Sequence, residues 1–248
     1  MPKTILITGA GRGIGAATAL LAAQKGYHVC VNYLKNKEAA SQVVAKIVSN
    51  GGTAKAYQAN VSQETDVLSL FKNIDNDFGP INALVNNAGI LSTQARVDEL
   101  TVERLQHIIN ANIISCFLCA KEAVKRMSTK YGGIGGAIVN ISSIAARTGS
   151  PNEYVDYAAT KGAIDSFTLG LAKEVAGENI RVNAVRPGFI YTGIHADGGE
   201  PDRVNRIKDS LPMKRGGTPE EVAQAILWLL SEEASFSTGT FIDITGGR

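Results

Sequence analysis

Short apolar segments alternate with longer amphipathic segments along almost the whole chain. The short segments consist mainly of consecutive apolar residues, such as ILIT at residues 5–8 and ALVN at residues 83–86. Strands of this kind are typical of a sheet that is covered by helices on both faces. The longer segments, such as EAASQVVAKIVSNG, are helical in pattern. The alternation requires parallel pairing through right-handed crossovers and therefore predicts an α/β fold.

The predicted architecture is a single-domain, Rossmann-type doubly wound parallel sheet of about seven strands, and it covers residues 1–248. No linker, repeat or block of charge divides the chain. Segment 191–217 breaks the alternation, because it is rich in glycine, proline and charged residues. Long insertions in compact domains are usually functional, and we interpret this one as a substrate lid.

Composition and charge exclude several classes of protein. Apolar residues make up 44% and charged residues 19% of the chain, as in an ordinary globular protein. The net charge of +2, without a long run of Lys or Arg, predicts neither a nucleic-acid nor a membrane partner. No segment approaches the ~18 apolar residues of a membrane span, and no secretory signal is present, so we expect a cytoplasmic location. The cysteines lack zinc-site spacing, so we expect reduced thiols and no metal.

The first predicted strand runs directly into the glycine-rich sequence TGAGRGIG and then into a helix. Gly9, Gly13 and Gly15 would allow a sharp turn, a close approach of backbone N–H groups to a pyrophosphate, and tight packing of helix on strand. A strand–helix turn also needs glycine for steric reasons alone. The position of this cluster at the first βα turn nevertheless predicts dinucleotide binding.

The end of the second predicted strand, Asn32-Tyr33-Leu34-Lys35, should decide between NAD and NADP. An acidic residue here would bond the ribose 2′-OH of NAD, and none is present. Arg12 in the glycine loop and Lys35 could instead pair with a 2′-phosphate, so we predict NADP rather than NAD. The alternative is that Lys35 and Lys37 belong to a solvated loop.

The sequence YAATK places Tyr157 and Lys161 four residues apart in a predicted helix, so both side chains would share one face. A phenol with a pKa near ~10 is a poor base at neutral pH, whereas a fixed ammonium beside it favours phenolate. Lowering the pKa of Tyr157 by about three units would take roughly 4 kcal/mol. An isolated Y-x-x-x-K pattern carries little information, so the pair needs support from other motifs.

That support comes from five motifs that occur in a fixed order. Because of these motifs, the chain resembles the short-chain dehydrogenase/reductase family along essentially its whole length. The motifs are TGAGRGIG, Asn86-Asn87-Ala88-Gly89, Ser142-Ser143, Tyr157 with Lys161, and Arg186-Pro187-Gly188. The resemblance implies that Tyr157 is the general acid and base, and that Lys161 lowers its pKa and binds the nicotinamide ribose. It also implies that Ser143 bonds the substrate oxygen. Ser143 lies fourteen residues before Tyr157, one more than is common, and Ser142 is the alternative.

The same resemblance implies a catalytic asparagine that carries a water chain to Lys161. Asn112, five residues before Phe117, fits the family pattern, and the nearby Asn110 is the alternative. Asn60 stands where relatives commonly have aspartate beside the adenine, and its amide oxygen could accept the same bond. The complete set of predicted cofactor contacts is Gly9, Arg12, Gly13, Ile14, Gly15, Asn32, Tyr33, Lys35, Asn60, Val61, Asn87, Ala88, Gly89, Tyr157, Lys161, Pro187, Gly188, Ile190 and Thr192.

The predicted function is therefore NAD(P)-dependent interconversion of a carbonyl and an alcohol, on a small-molecule CH–OH substrate. The alternative is a non-catalytic dinucleotide-binding regulator with the same fold, which the presence of all four catalytic residue types disfavours. The chain resembles both glucose 1-dehydrogenases and 3-oxoacyl thioester reductases. The charged residues of the lid, including Arg203 and Glu200, are interpreted as a mixed-charge solvated helix, and His195 as a candidate substrate contact. The resemblance implies a homotetramer, with a homodimer as the alternative, built on residues 101–130 and 154–177 and on the last helix and strand.

Overall fold

The computed structural model describes residues 2–248, which form one sheet of seven strands. The strands are β1 (Thr4–Ile7), β2 (His28–Tyr33), β3 (Thr53–Gln58), β4 (Ala83–Asn86), β5 (Gly136–Ile141), β6 (Ile180–Pro187) and β7 (Phe241–Ile244). They are all parallel and lie in the order β3-β2-β1-β4-β5-β6-β7. The chain reverses direction across the sheet between β1 and β4, and in open α/β sheets ligands bind beyond the strand ends at such a point.

Helices connect the strands and cover both faces of the sheet. They are α1 (Gly13–Gln24), α2 (Lys37–Ser49), α3 (Glu64–Phe78), α4 (Val102–Ile109), α5 (Ser115–Met127), α6 (Ala145–Thr148), α7 (Val155–Val175), α8 (Ile194–Asp197), α9 (Arg203–Ile207) and α10 (Pro219–Leu230). None of the helices in residues 2–248 combines the length and the apolar composition that a membrane span needs. The predicted single doubly wound sheet of seven strands is confirmed.

Successive side chains of the apolar strands pack alternately into two separate hydrophobic cores. Ile5 and Ile7 of β1 belong to a core shared with α1, α2 and α10, whereas Leu6 between them belongs to the opposite core, shared with α3, α5 and α7. All three side chains are fully buried. Successive side chains of a strand point to opposite faces, so a strand that is apolar at every position must be covered on both.

Helices α4 and α5 are not one regular helix, because a single π-helical turn at Asn110–Ile114 joins them. A π turn inserts an additional residue into a helix and frequently occurs at functional sites. Its central region carries Asn112, which is only 2% exposed. The sequence gives no sign of this turn, since apolar periodicity does not show a one-residue insertion.

Helix α10 begins at a capping box. The Thr218 hydroxyl accepts a hydrogen bond from the Glu221 N–H at 3.3 Å, and the Glu221 carboxylate accepts one from the Thr218 N–H at 2.8 Å. Arg215 also donates to this carboxylate, and together these bonds lower the pKa of Glu221 to about 2. The cap fixes where the helix starts and so seats its apolar face against α1.

Candidate active site

One cleft of about 1110 Å³ runs along the carboxyl ends of the strands. All of the predicted cofactor and catalytic residues line it, except Gly15 and Asn112, which are buried beside it. The sequence therefore predicted residues that the fold brings together from every part of the chain. The cleft also contains residues that the motifs did not predict, among them Arg203 of the lid and Arg248.

The glycine loop has the backbone geometry that the sequence implied. Gly9 has φ +61° and Gly13 has φ +55°, in the left-handed region that favours glycine. A Cβ atom at Gly15 would lie 2.6 Å from the Asn87 side-chain nitrogen and 2.8 Å from the Gly9 carbonyl oxygen. No side chain fits at such distances, so glycine is required here for α1 to pack against β1. The loop leaves its N–H groups at the start of a helix, which fits a pyrophosphate.

Asn87 supports this loop from the neighbouring strand. Its side-chain nitrogen donates to the carbonyl oxygens of Thr8 at 2.8 Å and Gly9 at 3.1 Å. In return, the Thr8 hydroxyl accepts from the N–H groups of Asn87 and Ala88, each at 2.9 Å. The two loops on either side of the chain reversal are therefore held as a unit. This explains structurally why the motif after β4 accompanies the glycine loop.

The adenosine end of the cleft differs in detail from the prediction. Asn32 lines the cleft but is 2% exposed: its oxygen accepts from the Gly9 N–H at 3.2 Å, and its nitrogen donates to the carbonyls of Tyr57 and Ala59. Its side chain thus shapes the glycine loop. The Asn60 amide oxygen accepts from the N–H and hydroxyl of Ser62 at 3.1 and 2.8 Å. The oxygen that was expected to face the adenine is therefore already engaged locally.

The two cations predicted for a 2′-phosphate occupy different environments. Lys35 is exposed, lines the cleft, and has no ion-pair partner among the described residues. Arg12 instead bonds to the carboxylate of Asp197 in α8, with Nη1 at 3.4 Å from Oδ1 and a shorter contact through Nη2. The glycine loop is thereby linked to the segment after β6. Sequence reasoning missed this link, since nothing in the pattern pairs these two positions.

Tyr157 lies at the opposite end of the cleft, on the first turn of α7. Burial raises the pKa of Tyr157 to about 12, although a hydrogen bond with the Ser143 hydroxyl acts in the lowering direction. Burial therefore outweighs the lowering that was expected from Lys161. The Lys161 ammonium lies 5.5 Å from the centre of the Tyr157 ring and donates to the Ile141 carbonyl at 2.7 Å. The phenol is therefore protonated at neutral pH.

Lys161 is 4% exposed, so its charge has little water around it. Burial lowers the pKa of Lys161 to about 8, and the nearby Cys116 and Asp165 act in the raising direction. A Cβ at Gly89 would lie 3.6 Å from the ammonium nitrogen, so glycine there leaves the lysine open to the cleft. The ammonium is thus available to a ligand between β4 and β5.

The two serines have different partners. Ser142 is 1% exposed, and its hydroxyl donates to Asp165 at 2.6 Å, away from the phenol. Ser143 lines the cleft with Tyr157 and acts to lower the pKa of its phenol, and the Ser143 hydroxyl accepts from the Ala145 N–H at 3.1 Å. The geometry favours Ser143 as the side chain that would contact a substrate oxygen.

The π turn places the two asparagines in different environments. Asn112 points inward, where its oxygen accepts from the Ile90 N–H at 2.8 Å and its nitrogen donates to the Ile90 carbonyl and the Thr160 hydroxyl, each at 3.1 Å. Asn110 is exposed at the rim of the cleft. A Cβ at Gly89 would lie 3.3 Å from the Asn112 oxygen. Asn112 therefore joins the loop after β4 to α7, the helix that carries Tyr157 and Lys161.

The predicted nicotinamide segment closes the cleft from the β6 side. A Cβ at Gly188 would lie 2.9 Å from the Thr245 Cα, so the turn after Pro187 packs directly on the end of β7. Thr192 reaches the glycine loop, since a Cβ at Gly13 would lie 3.3 Å from its methyl group. Ile190 is 4% exposed and forms an isolated parallel bridge with Gly217. This segment is rigidly placed.

The lid corrects one interpretation made from the sequence. Arg203 is 6% exposed and is not part of a solvated helix. Its guanidinium pairs with Glu153 and, at 2.6 Å, with Glu200, and it lies 4.9 Å from the centre of the Tyr154 ring. The two carboxylates balance its charge, so the substrate end of the cleft offers no net positive charge at this residue.

His195 lies in the same lid and is 9% exposed. Its Nε2 lies 3.0 Å from the Ile190 carbonyl, which makes Nε2 the protonated nitrogen. Its Nδ1 has no hydrogen-bond partner among the described residues. Burial lowers the pKa of His195, so the ring is neutral at pH 7. The side chain lines the cleft, as expected for a candidate substrate contact.

Known proteins resemble this chain over nearly its whole length. A family model described as enoyl-(acyl carrier protein) reductase matches residues 9–248. An Escherichia coli protein described as an uncharacterized oxidoreductase is 59% identical, with 98% of each chain covered. A 3-oxoacyl-[acyl-carrier-protein] reductase of Synechocystis is 41% identical, over 99% of this chain and 96% of that one.

A solved structure shares the fold as well. It is a Serratia marcescens short-chain dehydrogenase/reductase in which two phenylalanines are replaced by leucine, with a TM-score of 0.89 and 30% sequence identity. The superposition covers 99% of this chain and 97% of that one. The similarity therefore extends beyond the glycine loop and includes the lid and the last strand.

Proposed function

Because the chain belongs to the short-chain dehydrogenase/reductase family of oxidoreductases, we propose that it interconverts a carbonyl compound and an alcohol with NADP(H), using Tyr157 as general acid and base. The observation that carries this proposal is the meeting of Ser143, Tyr157 and Lys161 at one end of a cleft whose other end is a glycine loop. A non-catalytic regulator would not need a buried, protonated phenol in the same cleft as a serine hydroxyl and a buried ammonium, so the arrangement favours the enzyme.

The residues present fit a bound dinucleotide. The N–H groups of the glycine loop would hold the pyrophosphate, Lys161 the nicotinamide ribose, and Pro187 and Gly188 the face of the nicotinamide. The cofactor, when bound, supplies or accepts the hydride. The chain's own task is to hold a carbonyl carbon at that face and its oxygen against Ser143 and Tyr157.

In the direction of reduction, the protein supplies a proton to the carbonyl oxygen. The Tyr157 phenol holds that proton at neutral pH, because burial raises its pKa to about 12. Ser143 donates to the same oxygen and stabilises its developing negative charge. In the direction of oxidation the phenol must lose its proton first. The positive charge of Lys161 favours that loss and becomes more important as the negative phenolate forms.

NADP(H) is proposed over NAD(H) because the adenosine ribose end of the cleft is cationic. No carboxylate side chain follows β2 before α2, and Lys35 stands free beside the cleft. Arg12 can reach the same region once it leaves Asp197. A charged hydrogen bond contributes about 1.5–3 kcal/mol, which corresponds to roughly 10- to 150-fold in affinity.

We propose that segment 191–217 is the substrate lid and that the substrate is uncharged at its reacting end. Arg203 is neutralised by Glu153 and Glu200, so it does not offer a free cation to the carbonyl. A 3-oxoacyl thioester fits this description, and one relative carries that activity in its name. A sugar fits it as well, and the resemblance to glucose dehydrogenases makes sugars the second class to test.

The experiment is a panel of 3-oxoacyl thioesters, sugars, simple ketones and aldehydes assayed with NADPH and NADH. We expect turnover with NADPH, and loss of about 10²–10⁴-fold in kcat in Tyr157→Phe with unchanged NADPH binding. Tyr131→Phe, which removes an exposed phenol away from the cleft, is the matched control. Near-normal turnover in Tyr157→Phe, with the cofactor bound, would refute the assignment.

We also propose that the chain forms a homotetramer, as the family resemblance implies, rather than a homodimer. Large apolar side chains are exposed on the elements involved: Phe117 on α5, Leu169 on α7, and Trp228 and Phe236 on and after α10. Sedimentation of the wild type should give four copies, and Phe117→Glu should reduce that number. Leu68→Glu, at a similarly exposed leucine on α3, should not.

A further inference from the structure

A half-buried ion-pair chain lies directly behind the proposed catalytic residues. The Asp165 carboxylate accepts from Arg186 Nε at 2.9 Å and from the Ser142 hydroxyl at 2.6 Å. The side chains of Asp165 and Arg186 are each 16% exposed. Arg186 also contacts Asp243 of β7 at 3.3 Å, and Asp243 in turn binds Arg147 at 2.7 Å.

Each partner of Asp165 belongs to an element that carries a different part of the site. Asp165 itself lies one turn after Lys161 on α7. Ser142 precedes Ser143 at the end of β5, and the carbonyl before it, that of Ile141, accepts from the Lys161 ammonium at 2.7 Å. Arg186 immediately precedes Pro187 and the nicotinamide segment on β6.

We propose, on the basis of the function above, that Asp165 is a positioning residue for the reaction: its carboxylate locks β5 and β6 onto α7 and favours the charged form of Lys161. Through Ser142 it fixes the register of Ser143 against Tyr157. A single carboxylate thus sets both the distance between the proton donor and the serine and the charge of the lysine.

The charged and titratable groups around Lys161 make this assignment specific. On α7 they are Tyr157, whose phenol is neutral, and Asp165, which follows Lys161 by four residues and so shares its face of the helix. On α5 the neighbour is Cys116, and burial raises its thiol pKa to about 12, so it carries no charge near neutral pH. On β5 the ammonium meets only the Ile141 carbonyl.

Beyond this first layer lie the members of the ion-pair chain. Arg186 on β6 compensates Asp165, Asp243 on β7 compensates Arg186, and Arg147 on α6 compensates Asp243. Asp165 is therefore the carboxylate that acts against burial to keep Lys161 charged. Removing Arg186 should strengthen that action, because it leaves Asp165 without its countercharge.

The test uses two variants whose effects on Lys161 have opposite signs. Asp165→Asn keeps the shape and an acceptor for Ser142 but removes the charge, and we expect the Lys161 midpoint to fall by about one pH unit. Arg186→Met leaves the Asp165 charge uncompensated, and we expect the midpoint to rise. A purely structural role would move neither midpoint, or both in the same direction.

The midpoint is measured by NMR titration of lysine side chains labelled at Cε, with the Lys161 signal assigned by its loss in Lys161→Arg. This measurement does not require catalytic turnover, so its result is independent of whether the proposed function is correct. The pH profile of kcat in the active enzyme should shift with the same signs, while KM for the cofactor changes less than kcat.

Asp75→Asn is the matched control, because it breaks a comparable half-buried pair with Arg126 between α3 and α5. It should leave the Lys161 midpoint in place. If Asp165→Asn does not fold, the test uses Arg186→Met and the double variant Asp165→Asn/Arg186→Met. The Lys161 midpoint of the double variant should not show the rise expected in Arg186→Met. An unchanged midpoint in Arg186→Met, or an equal shift in the double variant, would overturn the proposal.

Discussion

Replacing Asp197 with asparagine should make the protein prefer NADP over NAD more strongly. In the structure Arg12 bonds to the Asp197 carboxylate of the lid, whereas the proposed 2′-phosphate of NADP needs the same guanidinium. Asp197 therefore competes with the phosphate and adds a negative charge near it. Asp197→Asn removes both effects and leaves the size of the side chain unchanged.

The size of the expected change in NADP affinity follows from the solvent exposure of Arg12 and Asp197. The two side chains are 63% and 43% exposed, and exposed ion pairs contribute about 0–1 kcal/mol. Freeing Arg12 should therefore tighten NADP binding by at most about fivefold, with little change for NAD, which has no 2′-phosphate. The gain should shrink at high salt, where exposed charges are screened.

Isothermal titration calorimetry with NADP⁺ and NAD⁺ measures this ratio directly. Asp209→Asn makes the same charge change in the same lid, at a carboxylate with no ion-pair partner among the described residues, and it serves as the control. In an Arg12→Ala background the Asp197→Asn substitution should give a smaller gain, because there it removes only the repulsion between the carboxylate and the phosphate. If the gain keeps its full size there, or if Asp209→Asn gives the same gain, the effect is one of general charge and the reasoning about Arg12 is wrong.

Three further predictions address the loop, the proton donor and a helix cap. Gly15→Ala should weaken dinucleotide binding by at least about tenfold in calorimetry and lower the melting temperature, because its Cβ would lie 2.6 Å from Asn87; normal binding would contradict the packing argument. Alcohol oxidation should accelerate as the pH rises through the neutral range, because burial raises the pKa of Tyr157 to about 12 and oxidation needs the phenolate; a profile that is flat, or unchanged in Tyr157→Phe, would assign the proton transfer elsewhere. Thr218→Ala should lower the free energy of unfolding in urea by about 1 kcal/mol, whereas Thr65→Ala, inside the first turn of α3, should cost less.

The architecture was predictable because its cause is local. Three consecutive residues of the first strand, Ile5, Leu6 and Ile7, are apolar, and such a run is typical of a sheet that is buried on both faces. The glycine loop was predictable for a similar reason, since Gly9 and Gly13 adopt positive φ and Gly15 has no room for a side chain. At each of these positions a local steric requirement determines the residue type, so the residue type indicates the local structure.

Other features depend on contacts between distant residues, and periodicity carries no record of them. The pairing of Arg12 with Asp197 and the burial of Arg203 between Glu153 and Glu200 join segments far apart in the chain. The rise that burial causes in the pKa of Tyr157 could not be predicted, because the charge of a neighbour is visible in the sequence while the depth of burial is not.

The π turn at Asn110–Ile114 has a consequence for how this chain tolerates changes in length. Successive residues of an α-helix are rotated by about 100° around its axis. Deleting one residue from the π turn would restore regular α-helical geometry, but it would rotate α4 by that angle relative to α5. The amide of Asn112 would then face away from Ile90 and Thr160. A deletion that makes the helix regular would therefore break the contacts between the loop after β4 and α7. The additional residue of the π turn maintains those contacts.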